Sequence, residues 1–144
     1  IYVDAWVSGP TCPEDEKSPE RADAIYITHG HGDHAGDVVG LHEKLGCKVL
    51  GMVELAEQLS GTSIGDDAIA FNKGGTVEVE GVRFTMVNAF HSSTNDATDS
   101  RYAGEPTGVA RRRRSPGSRR SRSVLVRACH RQIGSSPSCP SSTG

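Results

Sequence analysis

The chain has 144 residues, enough for one domain, and its 35% hydrophobic and 5% aromatic residues are a lean supply for a core. The net charge of −2 averages two opposite parts: residues 1–110 hold all 18 acidic residues against seven basic ones, and residues 111–144 hold nine arginines and no acid. No long apolar run supports a membrane helix, and Cys12, Cys47, Cys129 and Cys139 form no Cys-x-x-Cys pair of a zinc ribbon or redox motif, so the expectation is a cytoplasmic chain with free thiols.

Ile1-Tyr2-Val3-Asp4-Ala5-Trp6 alternates apolar and polar and predicts a strand. Ser8 to Lys17, with Gly9, Pro10 and Pro13, predicts a loop. Ser18-Pro19-Glu20-Arg21 has an N-cap followed by proline at the first helical position, which predicts a single helical turn. The apolar run from Ala24 to Thr28 predicts a buried strand that ends in a loop. That loop is Thr28-His29-Gly30-His31-Gly32-Asp33-His34-Ala35-Gly36-Asp37, with three histidines and an aspartate within six residues.

The spacing has a chemical meaning. Strand ends of layered α/β folds hold loops rigidly over a crevice. Imidazole and carboxylate are ligands of a borderline metal such as zinc. His29 and His31 are two apart, so in extended backbone they point the same way and can share an ion. Gly32 lets the chain turn, after which Asp33 and His34 face a second position. The competing reading is a polar loop whose histidines cluster by chance, and the flanking strand and helix weigh against it.

Gly36 to Leu45 predicts a helix, with Val38, Leu41, His42 and Leu45 on one face and Gly46 closing it. Asp37 is a helix cap or a partner for a ligand imidazole, the cap being favoured, and His42 is helix packing. Lys48 to Met52 predicts a strand and Val53 to Leu59 a helix, and this alternation implies parallel pairing with crossovers. Thr62 to Asn72 reads as polar and irregular. Thr76 to Glu80, Gly81, and Val82 to Val87 predict a β-hairpin. It runs into Ala89-Phe90-His91, so a second strand also ends in a histidine. From Arg111 the composition shifts to Arg, Ser, Pro and Gly, with only Val124-Leu125-Val126 apolar, and the tail reads as low-complexity.

The His-x-His-x-Asp-His stretch resembles the signature of the metallo-β-lactamase superfamily at every position. Ile1 to Asp4, Ala22 to Ala24, Gly36-Asp37, Gly74 to Thr76, Ala89 to Ser93 and Gly104 to Gly108 resemble one branch of it, the small metal-dependent hydrolases, over residues 1 to about 109. The resemblance implies an α/β fold, the N-terminal half of an αββα sandwich, in residues 1–109. Residues 110–144 are then a disordered or out-of-frame basic tail. It implies that His29, His31 and His91 hold one metal and that Asp33 and His34 belong to a second. The cofactor is Zn2+ in one or two sites, with Mn2+ or Fe as alternatives.

The implied activity is hydrolysis of an ester, lactone, amide or phosphoester of a small-molecule substrate by metal-activated water. Asp33 orients the water and takes its proton. Ser92, Ser93 and Glu105 lie near the mouth of the site by resemblance, although plain polar loop residues are the safer reading, and Asp4 braces a loop. Complete members carry strands before the first one here, a bridging aspartate and a later histidine. This chain has no acid after Val109, so the expectation is a truncated N-terminus, single or weak metal occupancy, low turnover, an uncovered sheet face and marginal stability. The alternative is a nucleic-acid-binding or nuclease-like protein in which Arg111 to Arg114, Arg119, Arg120 and Arg122 neutralise phosphates. The absence of an aromatic residue from the tail weighs against it.

Overall fold

The structure is a computed structural model and describes residues 1–99 and 101–113. Arg114 onward, including Val124 to Val126, Cys129, His130 and Cys139, lies outside the described residues.

The first sheet is parallel throughout. Its strands are β1 (Tyr2–Val3), β2 (Ala24–Tyr26), β3 (Lys48–Met52) and β4 (Ala68–Phe71), neighbours in that order. Tyr2 pairs with Ile25, Ile25 with Val49, and Val49 with Ala68. Parallel neighbours need crossovers. Helices α1 (Gly32–Ala35) and α2 (Val38–Leu45) connect β2 to β3, and α3 (Val53–Ser60) connects β3 to β4. β2 is buried on both faces, which is why Ala24-Ile25-Tyr26-Ile27 reads as an unbroken apolar run.

Two local expectations are corrected, and one is borne out with an addition. The turn predicted at Ser18–Arg21 is absent; a 3-10 turn forms instead at Glu14–Glu16 after Pro13, and Pro19 is spent on burial. The helix expected over Gly36 to Leu45 is α2, which begins at Val38 and is closed by Gly46, and a separate short turn of helix, α1, precedes it immediately after His31. Ala68–Phe71, inside the segment expected to be irregular, is β4. It is a short edge strand with two alanines, and its pairing with β3 defines it more than its own hydrophobicity does.

The second sheet is antiparallel. β5 (Thr76–Val79) and β6 (Val82–Asn88) form the expected hairpin, with Val79 opposite Val82 and Val77 opposite Phe84. Its two turn residues, Glu80 at φ 49° and Gly81 at φ 77°, are both left-handed, as a type I′ turn requires. After β7 (Thr94–Asn95) and β8 (Arg101–Tyr102), which pair with each other, β9 (Thr107–Arg113) lies along β6. β9 runs through the position where the composition changes, with Arg111 and Arg112 exposed.

The two sheets pack face to face. Tyr26, Leu50, Met52 and Phe71 of the first meet Val79, Val82, Phe84 and Met86 of the second. The Tyr26 ring lies parallel to that of Phe84 at 6.4 Å and edge-on to that of Phe71 at 6.1 Å. Each such ring, fully buried, contributes about 1.5–3 kcal/mol. On the other face of the first sheet, Ile25, Ile27 and Val49 pack against Val38, Leu41, Leu55 and Leu59. The layers are therefore helix, sheet, sheet, the N-terminal part of an αββα sandwich. The outer face of the second sheet presents Thr76, Glu78 and Arg83, all exposed. Among the described residues no helix is long and apolar enough to cross a membrane.

Candidate metal centre

The histidine-rich loop leaves the C-terminal end of β2, where an open α/β sheet forms its crevice. The chain beyond β6 brings His91 to the same place. Ring centroids are 4.8 Å apart for His29 and His31, 4.4 Å for His29 and His91, and 5.1 Å for His31 and His91. One nitrogen from each of the three rings lies within 4.8 Å of the other two. His29 is buried, His31 half-buried and His91 exposed, so the cluster opens to solvent on the His91 side.

Hydrogen bonds decide which nitrogen the His29 and His91 rings present. Asp4 is buried, in a left-handed conformation at φ 52°. Its carboxylate accepts the Thr28 backbone N–H at 2.8 Å and the Thr28 hydroxyl at 2.9 Å. With its single proton committed to Asp4, Thr28 Oγ1 accepts from Nδ1–H of His29 at 2.9 Å. The His29 lone pair is then on Nε2, which is buried with no hydrogen-bond partner. Burial above all, reinforced by the neighbouring His34 and His91, holds the His29 pKa at about 4, so the ring is neutral at pH 7. His91 donates its Nδ1–H to the Ser92 carbonyl at 2.9 Å, leaving its Nε2 open as well.

A buried orphan acceptor beside two more imidazoles fits a divalent ion such as zinc. The relay from Asp4 through Thr28 fixes the His29 ring. Thr28→Val is therefore expected to fold and to weaken metal affinity about 10- to 100-fold in a competition titration; unchanged affinity removes the relay from the site.

The other expected site residues stand beside this cluster. The His34 ring is 4.0 Å from that of His29. Its Nδ1 is 3.0 Å from Asp4 Oδ2 and its Nε2 is 3.4 Å from Asp33 Oδ2. Burial opposes the His34 charge, but the Asp4 hydrogen bond and the charges of Asp4 and Asp33 outweigh it and raise the pKa. Asp33 is half-exposed and faces solvent beside His34. Asp37 precedes α2 but makes no capping bond; its carboxylate instead accepts the backbone N–H and hydroxyl of Ser8 at 2.7 and 2.9 Å. His42 is packing, as expected, with Nδ1 against the Cys47 carbonyl at 2.8 Å.

The sequence reading missed the struts that hold the loop. Ser93 Oγ accepts the Gly30 N–H, Asp96 N–H donates to the Gly30 carbonyl, and Asp96 Oδ2 accepts the Gly32 N–H. Thr107 donates both its N–H and its hydroxyl to the Thr28 carbonyl. The available signal was Thr28 itself, a hydroxyl directly before the first histidine.

Two packed sheets with imidazoles converging beyond the ends of their strands define an α/β protein with a candidate metal site. The chain belongs to the family described as the beta-lactamase superfamily domain, which matches residues 1–119. It is similar to a UPF0173 metal-dependent hydrolase of Roseiflexus castenholzii, 44% identical over 99 residues, 65% of this chain and 41% of that one. A metal-dependent hydrolase of Paracoccus denitrificans is 42% identical over 112 residues, 75% of this chain and 48% of that one. Among solved structures, Igni18, a metallo hydrolase from Ignicoccus hospitalis, aligns with a TM-score of 0.60 and 26% identity over 77% of this chain and 48% of that one. The chain thus spans less than half the length of these relatives.

Proposed function

We propose that this chain is a metal-dependent hydrolase that uses Zn2+, with Mn2+ or iron as alternative ions, on a small-molecule ester, lactone, amide or phosphoester. The observation that carries the reading is the convergence of His29, His31 and His91, with the His29 Nε2 lone pair buried and unengaged. The names of its relatives, metal-dependent hydrolase and metallo hydrolase, support it. A cytoplasmic location accords with the buried free thiols of Cys12 and Cys47.

His29, His31 and His91 would hold the ion, and Asp33 with His34 would line a second position. A divalent ion held there would supply Lewis acidity and would bring the pKa of a water it binds to about 7. His29 contributes a neutral ring whose orientation Thr28 fixes. Asp33 is the half-exposed carboxylate beside the cluster, placed to orient the attacking water, take its proton and return it to the leaving group. His34, between Asp4 and Asp33, positions that carboxylate.

The test is metal content by plasma emission on the purified chain, with hydrolysis of p-nitrophenyl esters and phosphodiesters before and after chelation. The expected result is one tightly held ion per chain and hydrolysis lost with a chelator and regained with Zn2+. Two tightly held ions would contradict the single complete ligand set, and turnover indifferent to chelation would end the hydrolase reading.

A further inference from the structure

We infer that the cleft beside His91 takes the acyl or alkyl part of an uncharged substrate, which makes a carboxylic ester or lactone, rather than a phosphoester, the class this site hydrolyses. The inference rests on the hydrolase reading and narrows its substrate. The cleft has a volume of about 620 Å³, and its lining is mostly carbon. Phe90, Tyr102 and Pro106 give it apolar walls, and His91 places it against the histidine cluster.

Two features set the ligand class. The first is exposure: Phe90 is 95% exposed and Tyr102 63%. An aromatic ring held in water beside the histidine cluster gains by covering itself with an apolar ligand. The second is charge. Lys73 is the one lysine or arginine among the described residues lining the cleft. Its Nζ donates to Glu105 Oε2 at 2.6 Å and to Asn88 Oδ1 at 2.7 Å. The Glu105 carboxylate offsets the ammonium, so the cleft offers no net cation to a phosphate. Phosphate sites use several donors, such as arginine forks or the N-terminus of a helix, and this wall has neither. A carbonyl group needs no such neutralisation. One end of a carboxylic ester can rest on Phe90 while its carbonyl lies near the nitrogens of His29, His31 and His91.

The test has a binding arm and a turnover arm. Binding of butyrophenone, which resembles a phenyl ester but cannot be hydrolysed, and of phenyl phosphate is followed by saturation-transfer NMR on the metal-free full chain, where neither ligand can score by coordinating an ion. Butyrophenone is expected to bind at least tenfold more tightly. Phe90→Ala removes an exposed ring, so the variant folds, and it is expected to weaken butyrophenone binding about tenfold. In the zinc-loaded chain, kcat/KM for p-nitrophenyl butyrate is expected to exceed that for bis-p-nitrophenyl phosphate at least tenfold, with Phe90→Ala acting through KM. Glu105→Gln uncovers the Lys73 charge and is expected to narrow that ratio. Equal or tighter binding of phenyl phosphate, or Phe90→Ala binding butyrophenone as the parent does, overturns the inference. Butyrophenone binding with no hydrolysis of either substrate overturns the hydrolase reading and leaves the preference of the cleft standing.

Discussion

His29→Ala is expected to abolish specific metal binding and with it hydrolysis, by on the order of 1,000-fold or more in kcat/KM. Loss of an outer hydrogen-bond partner of a metal ligand already costs about 10- to 100-fold, and removing the ligand costs more. His29 is the pivot of the set because it alone of the three is buried and carries a buried Nε2 with no other partner. Its pKa of about 4 means that protons do not compete for that nitrogen at neutral pH, and the Thr28 hydroxyl holds the other nitrogen. His91→Ala is expected to cost less in affinity, since that ring is exposed and water can take its place. The check is a zinc titration beside turnover and thermal melting without metal. The metal-free melting point of His29→Ala should move by only a few degrees, because the rings of His31, His34 and His91 around it are polar and belong to no apolar core cluster. Should the variant keep zinc affinity within a few-fold of the parent, the three imidazoles are not the ligand set.

Much of this was legible because the site is local. His29, His31, Asp33 and His34 lie within six residues, and a strand before them is announced by four apolar residues in a row. The position of His91 near a strand end was legible for the same physical reason, a hairpin with a strong period of two, while its place in a ligand set rested on the resemblance. What was illegible depends on long-range pairing. The partnership of Thr28 with Asp4 spans 24 residues, and that of Gly30 with Ser93 spans 63. Neither leaves a periodic trace. β4 was missed because Ala68-Ile69-Ala70-Phe71 is held by its neighbour β3, and alanine announces no strand. Asp37 reads as a cap because its residue type and place are right; the nearby Ser8 donors draw the carboxylate away from the helix end. In each case a tertiary partner overrode a local preference.

Gly30→Ala is expected to be the most damaging glycine-to-alanine change among the described residues. The position needs glycine because of a close approach, not because of an unusual φ. A β-carbon there would lie 2.2 Å from the Thr94 carbonyl oxygen, 2.8 Å from its carbon and 2.9 Å from the Ala103 β-carbon. None of these is the end of a flexible side chain, so the backbone itself must move. Both walls are tied down: Asp96 N–H donates to the Gly30 carbonyl at 2.9 Å, and Ala103 N–H donates to the Ser93 carbonyl at 3.3 Å. Such overpacking costs about 3 kcal/mol. For a domain of this size that lowers the melting point by on the order of 10–20 °C. The same movement carries His29 and His31, the residues on either side. A displacement of about 1 Å at reacting groups costs about 100-fold in rate, so zinc affinity and turnover should both fall in whatever fraction still folds. Gly40→Ala is the matched control. It sits within α2 with nothing inside 4 Å of the added carbon, and there alanine is expected to stabilise the helix by about 0.5–1 kcal/mol. A Gly30→Ala variant that melts and binds zinc as Gly40→Ala does would show that the strut between the histidine loop and β7 is not what holds the three imidazoles together.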